Sequence, residues 1–336
     1  MGERSLMNRT RWQINESWQG NAGVSSFPGF PIIRYMEKEI IKLIEEKGPL
    51  TGSEIREAIG GDDHILWQTC KLSQNLLIRT IGTRYLRLDR RVENFARLSP
   101  SILREFLTYS AIGIPGDTNS LELRAQELTS HIENVSRSKL ELAYRVISSL
   151  VSSLESEWNP DLQVCYIIAG DIVYNMAHDV PRPERSTGKP VNGSDMDLVV
   201  IVDDRTPEDL IKRLDDAIYK EKYRILIAPS LKEEIDYIVK KLERVRDQLR
   251  FDTFKHMVAC KILQEGAFLY GKEDLFSKIK AMLREHGVTE KLNHLERRAK
   301  VFRLEAEKYL LRNDPDKIKE DAICLFYPTE ESEEFE

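Results

Sequence analysis

Asp195 and Asp197 stand two residues apart at the head of the run Met196-Asp197-Leu198-Val199-Val200-Ile201-Val202. An apolar stretch of this length, rich in β-branched residues and closed by Asp203-Asp204, reads as a buried strand. Strand alternation sends residues i and i+2 to one face, so the two carboxylates point the same way. Carboxylates held side by side repel unless a cation lies between them, and oxygen-only ligands at that spacing suit Mg²⁺ carrying a substrate phosphate. The chemistry on offer is phosphoryl transfer. By itself Asp-x-Asp is also the common form of a solvated strand entry, so the reading depends on the neighbouring elements.

Ahead of the acidic pair, Val164-Cys165-Tyr166-Ile167-Ile168-Ala169 forms a second apolar run that ends in Gly170 and is followed by the helix-compatible Ile172-Val173-Tyr174-Asn175-Met176. Strand, glycine, helix, loop and then Ser194-Asp195-Met196-Asp197-Leu198 on another strand resembles the nucleotidyltransferase superfamily of DNA polymerase β. That resemblance implies Asp195, Asp197 and a third acid on a later strand as catalytic residues and as ligands of two Mg²⁺ ions. It implies a nucleotide phosphate site at Gly170, Asp171 and Ser194. The family has Gly-Ser or Gly-Gly at the turn, whereas here Asp171 follows Gly170, and a carboxylate there repels phosphate. Arg182, Arg185 and Lys189, in the loop with His178, are the cations that would stand in as phosphate contacts; a proline-rich surface loop with scattered charge is the competing reading.

The third acid has two candidates. Ile235-Asp236-Tyr237-Ile238-Val239 reads as a strand carrying Asp236, yet Leu231, Ile235, Ile238, Leu242, Val245 and Leu249 keep helical spacing behind a Ser230 to Glu233 capping box. The resemblance favours the strand and Asp236, with Asp252 as runner-up. Between the acids, Thr206 reads as the cap of a helix running to about Lys222, followed by a strand from Tyr223 to Ala228. Lys261 to Gly271 is similar to the helix and Leu-Tyr-Gly turn that follow this core in the superfamily.

Nearer the N-terminus, Ile33, Met36, Ile40, Leu43 and Ile44 mark a first helix, Ser53 to Ile59 a second capped by Ser53, and Asp62 or Asp63 to Leu72 a third. Leu77 to Ile81 and Arg84 to Leu88, separated by Gly82-Thr83, read as a β-hairpin. Three helices and a hairpin resemble a winged helix-turn-helix domain. The third helix carries Lys71 as its one cation, but Arg79, Arg84, Arg87, Arg90 and Arg91 cluster on the hairpin, either as a solvated basic face or as a contact for DNA, RNA or another partner. Gly113-Ile114-Pro115-Gly116 reads as a linker, and Leu121 to Leu154 as a long amphipathic helix.

The expected fold class is thus α+β or mixed α/β. It comprises an arm over 1–30, a winged helix-like domain over 31–97, a linker and long helix over 98–160, a nucleotidyltransferase-like core with a short mixed sheet over 161–272, C-terminal helices over 273–327 and an acidic tail over 328–336. Among 336 residues the net charge of −6 argues against nonspecific coating of nucleic acid. Cys70, Cys165, Cys260 and Cys324 lie far apart with no zinc-site spacing, and no apolar run approaches the ~20 residues of a membrane span. Those features fit a reduced, cytoplasmic protein without membrane contact. The function implied by the resemblance is transfer of NMP from an NTP, ATP among them, to a hydroxyl acceptor on a protein or RNA. Synthesis of a nucleotide messenger, or an inactive core carried by a winged-helix binding module, are the alternatives.

Overall fold

The computed structural model describes residues 31–154, 163–184, 187–313 and 323–328. The arm over 1–30, Arg185 and the tail beyond Pro328 lie outside the described residues. The chain has mixed α and β content, with small sheets and helices closing its C-terminal part.

Three helices come first: α1 (Pro31–Lys47), then β1 (Leu50–Thr51), α2 (Gly52–Ile59) and α3 (Asp63–Leu72). The cap of α2 is Thr51, not Ser53: its hydroxyl accepts from Glu54 N–H while the Glu54 carboxylate takes the Thr51 N–H, a reciprocal box. β2 (Leu77–Thr80), β3 (Tyr85–Leu88), β4 (Ala96–Ser99), α4 (Ile102–Thr108) and β5 (Ser110–Gly113) follow.

The expected hairpin does not form. β2 pairs antiparallel with β5 in a β1–β5–β2 sheet, and β3 pairs antiparallel with β4. The physical reason lies in burial. Tyr85 and Leu86 are buried, and Leu86 packs with Ala96 and Leu98 into a core shared with later helices. β2 is mostly exposed and gains most by lying on the buried strand β5. Gly113, expected in a linker, is a paired strand residue opposite Leu77, with Leu121 packed closely over it.

α5 (Thr118–Leu154) is the expected long helix. β6 (Val164–Ala169), β7 (Pro181–Pro183), β8 (Pro190–Asn192), β9 (Met196–Val202), α6 (Glu208–Ile227) and β10 (Ile235–Lys241) come next. No strand runs from Tyr223 to Ala228; α6 continues to Ile227, because Ile218, Ile225 and Leu226 keep a buried stripe at helical spacing. Pro207, not Thr206, holds the cap position, and the Thr206 hydroxyl is buried without a partner.

α7 (Leu242–Gln248), α8 (Phe254–Glu265), β11 (Ala267–Gly271), α9 (Glu273–Glu285), α10 (Val288–Arg312) and α11 (Ile323–Phe326) complete the described chain. Leu269-Tyr270-Gly271 belongs to strand β11 rather than to a turn after a helix.

The central sheet has the order β10–β9–β6–β11, with β10 parallel to β9 and the other pairs antiparallel. Both faces are covered, which explains why β9 is a near-continuous apolar run. Leu198, Val200 and Val202 pack toward α5 and α6, and Val199 and Ile201 toward the helices after β10. The first helices are closed by the last ones: Ala306, Leu310 and Phe326 share a core with Ile40, Trp67 and Phe106. Among the described residues no helix is long and apolar enough to cross a membrane.

Candidate active site

Three strand ends meet at one end of the central sheet. Asp197 lies opposite Ala169, the last residue of β6, and opposite Asp236 on the parallel strand β10. In-register neighbours share a face, so the strand reading of residues 235–241 puts Asp236 beside Asp197, with Asp195 two residues back along the chain. The helical alternative for that segment fails because Ile235 is wholly buried as the next strand of the sheet.

Gly170 sits directly under the pair. Its φ of 72° is a left-handed conformation, and a Cβ there would stand 2.1 Å from Asp197 Oδ2. Only glycine permits both the turn and the carboxylate above it. Gly193, at φ 64°, is confined in the same way by the His178 carbonyl, 2.0 Å from where its Cβ would lie.

These residues line a cavity of about 480 Å³, with Asp171, Asp195, Asp197, Glu234, Asp236 and Glu265 as its acids and Arg87, Arg104, Arg182 and Lys261 as its cations. Burial, followed by the neighbouring carboxylates Asp195, Asp171 and Asp236, holds the Asp197 carboxyl well above the usual carboxylate range. Asp195 is also raised by burial, against the pull of Arg182. An acid-rich cavity of this kind is where a cation gains most.

Asp171 is not a bare charge at the turn. The Tyr85 hydroxyl donates to its Oδ1, and the Ser194 hydroxyl donates to its Oδ2 at 2.8 Å. Ser194 is buried and accepts from His178 N–H at 3.1 Å, so its hydroxyl ties two loops together beneath the acids. Burial, with Arg104, Lys139 and Arg182 nearby, holds His178 well below the usual imidazole range and keeps it neutral.

Arg182, on β7, donates from Nε to the Gly193 carbonyl at 2.8 Å, pairs with Glu234 at 2.9 Å and stands 3.9 Å from Asp195. Lys189 is exposed and faces the Tyr223 ring at 5.6 Å, and it does not line the cavity. Asp252, the runner-up third acid, is bonded to His256 Nδ1 at 2.6 Å and is likewise outside the cavity wall.

The expected basic cluster disperses. Arg84 is bidentate to Glu105 at 2.6 Å, Arg79 pairs with Glu122 at 3.1 Å, Arg90 lies over Phe254 at 4.8 Å, and Arg91 borders a separate groove beside α10. Arg87 alone among them reaches the acidic cavity. A strand that leaves its expected partner turns its side chains in new directions, so five arginines close in sequence share no face.

Sequence reasoning missed the aromatic wall. Tyr85 stacks on Tyr174, with ring centroids 4.0 Å apart and planes 7° from parallel. Tyr174 donates to Glu265 at 2.8 Å, and Lys261, 2.6 Å from Glu265, faces both rings. The Lys261–Glu265 pair was visible as an i, i+4 spacing on a helix, but nothing local says that it meets β3. The signal for Arg104 is stronger: Arg104-Glu105 interrupts the apolar Ile102-Leu103 and Phe106-Leu107, and charges inside such a stretch need partners.

As the side chains lie, no three His, Cys, Asp or Glu groups among the described residues are grouped to hold a metal ion. The reason is the company each acid keeps: Asp236 pairs with Lys222 at 2.9 Å, Asp195 leans toward Arg182, and Asp171 is held by two hydroxyls. Set against models of known protein families, curated proteins and solved structures, the chain has no match in any of the three.

Proposed function

We propose that this protein is a Mg²⁺-dependent nucleotidyltransferase, built on a nucleotidyltransferase-like core with a winged helix-like unit ahead of it. The observation that carries the reading is the trio Asp195, Asp197 and Asp236 at one sheet end, with Gly170 under Asp197. The donor set fits the ion: it is all carboxylate oxygen, and it is charged beyond what its own cations offset. Asp195 and Asp197 would hold Mg²⁺ together, and Asp236 would join them once Lys222 yields. When bound, the ion would supply charge neutralisation for the triphosphate and the leaving pyrophosphate.

The chain's own groups do the rest. Arg182, pinned by Gly193 and Glu234, is a fixed cation beside Asp195 that orients phosphate. In the transfer, the acceptor hydroxyl oxygen bonds to the α-phosphorus and the bond from that phosphorus to the bridging oxygen breaks. Pyrophosphate leaves with the electron pair, and Asp236 receives the hydroxyl proton. The β1–β5–β2 sheet with α1 to α3 supports the winged helix-like reading, its second wing strand coming from β5 rather than β3.

The test is incubation of the full chain with α-³²P-labelled NTPs and Mg²⁺, alone and with RNA or protein acceptors. Label on an acceptor, lost in Asp197→Asn, is the expected result. No transfer from any of the NTPs to any acceptor, or equal transfer by Asp197→Asn, would overturn the reading.

A further inference from the structure

A second hollow adjoins the acidic cavity and shares Asp197, Asp236 and Ile262 with it. Its volume is about 380 Å³, and Tyr219, Lys222, Tyr237 and Ile238 form the rest of its working wall. The two cavities are chemically unlike. The first carries the arginines and all six carboxylates, whereas the second, apart from the two aspartates it shares, is aromatic and aliphatic with a single ammonium group.

The hollow opens onto an unusual side of α6. Tyr219, Tyr223 and Ile227 follow one another at i, i+4 and i+8, and they are 61%, 48% and 45% exposed. Helical spacing puts them on one stripe, yet it is the stripe turned away from the core that holds Leu214, Ile218 and Ile225. Ile238, on the outer strand β10, adds another half-exposed apolar side chain beside it. Ammonium groups interleave with the rings: Lys189 faces Tyr223 at 5.6 Å, and Lys222 reaches Asp236 at 2.9 Å. Glu221, the acid in that stretch, is already paired with Arg224 at 2.8 Å.

We propose that this side of α6 seats the 3′ end of a single-stranded nucleic acid, which is the hydroxyl acceptor of the reaction. The inference rests on the nucleotidyl-transfer reading and narrows its acceptor. Flat exposed rings with lysines between them are the elements that bind single strands without regard to sequence: bases stack on the rings and phosphates meet the ammonium groups. Tyr219 lines the hollow together with Asp197 and Asp236, so a strand lying on the stripe brings its terminal hydroxyl to Asp236 while the triphosphate takes the cavity that holds the arginines. Lys222 gains a phosphate partner as Asp236 turns to its catalytic role. A single strand offers a flat base at every residue with a phosphate between, a repeat that matches tyrosines with lysines beside them.

The experiment uses the full chain with fluorescently labelled RNA and DNA oligonucleotides, single- and double-stranded, read by anisotropy in Mg²⁺ without NTP. Single strands should bind, Tyr219→Ala combined with Tyr223→Ala should weaken binding by roughly tenfold or more, and the matching Phe pair should bind as the wild type does. The RNA and DNA arms say which sugar is accepted. Unchanged melting temperature in the Ala pair shows that the loss belongs to the surface. Failure of single strands to bind, or equal binding by the Ala pair, overturns the inference. Label transferred to a protein or small acceptor, at the same rate in the Ala pair, overturns it while leaving nucleotidyl transfer intact. Binding through the tyrosines with no transfer from any NTP does the reverse: the nucleic-acid surface stands and the catalytic reading falls.

Discussion

Two clusters of charge in this molecule use the same residue types to opposite ends. Between α4 and α10, Glu105 and Glu307 face Arg84 and Arg303: Arg84 is bidentate to Glu105, Arg303 donates to Glu307 at 2.6 Å and stands 3.1 Å from Glu105, and its remaining arm reaches the Pro100 carbonyl. Charges there balance, and Glu105 and Arg303 are nearly inaccessible. In the acidic cavity six carboxylates face four cations, and the Asp197 carboxyl is driven upward by its neighbours. A balanced buried network is a fastener, while an unbalanced one holds its carboxyls above their usual range.

The largest expected effect comes from unbalancing the fastener. Glu105→Ala leaves two guanidinium groups, one of them deeply buried, without their shared partner, and it should cost about 3–5 kcal/mol of stability. Chemical denaturation measures this. A loss below about 1 kcal/mol would mean that the network is solvated and that the contrast with the cavity is false.

A third interior charge sharpens the contrast. Lys240 is buried on β10, where its ammonium donates to the Gln248 side chain at 2.8 Å, and burial pulls its pKa from 10.5 down to about 8. Between those two values the unfolded chain holds more protons than the folded one, so stability rises with pH from about 8 to 10.5. Burial draws Lys280 down to about 8 as well, so Lys240→Met should remove about half of that slope and raise stability at neutral pH by on the order of 2 kcal/mol. Melting curves across this pH window check the sign; a slope unchanged in the variant assigns it to another group.

The smallest effect is expected in the cavity itself. Asp197→Asn removes a charge that its neighbours repel, so without Mg²⁺ it should leave the melting temperature equal or raise stability by about 1 kcal/mol. With saturating Mg²⁺ the order should reverse, since only the wild type gains from the ion. A variant markedly less stable without metal would make Asp197 another fastener.

Strand alternation made Asp195 and Asp197 legible as a same-face pair, but the strand that carries Asp236 was not decided by local pattern: residues 231–249 also keep helical spacing, the resemblance alone favoured the strand, and pairing with β9 settled it. The pairing of β2 was not legible. Leu77 to Leu88 has the look of a hairpin, and nothing within it reports that β5, some thirty residues later, is a better partner for β2. Caps shifted by a residue or two for a similar reason, since Thr51 and Ser53 are equally good capping residues and the start of α2 against Phe106 decided between them.

What the sequence by itself determined was composition and periodicity: a buried strand with acids at its head, a glycine before it, long helices around it, and no span fit for a membrane. These are properties of short windows, and short windows fix side-chain alternation and helical stripes. Tertiary structure decided which charges compensate one another. Arg84 could have served a nucleic acid until Glu105 and Glu307 claimed it, and Asp171 could have repelled phosphate until Tyr85 and Ser194 tied it down. Whether a charge is spent or available depends on groups brought within a few ångströms from distant parts of the chain, and that information exists only once the chain has folded.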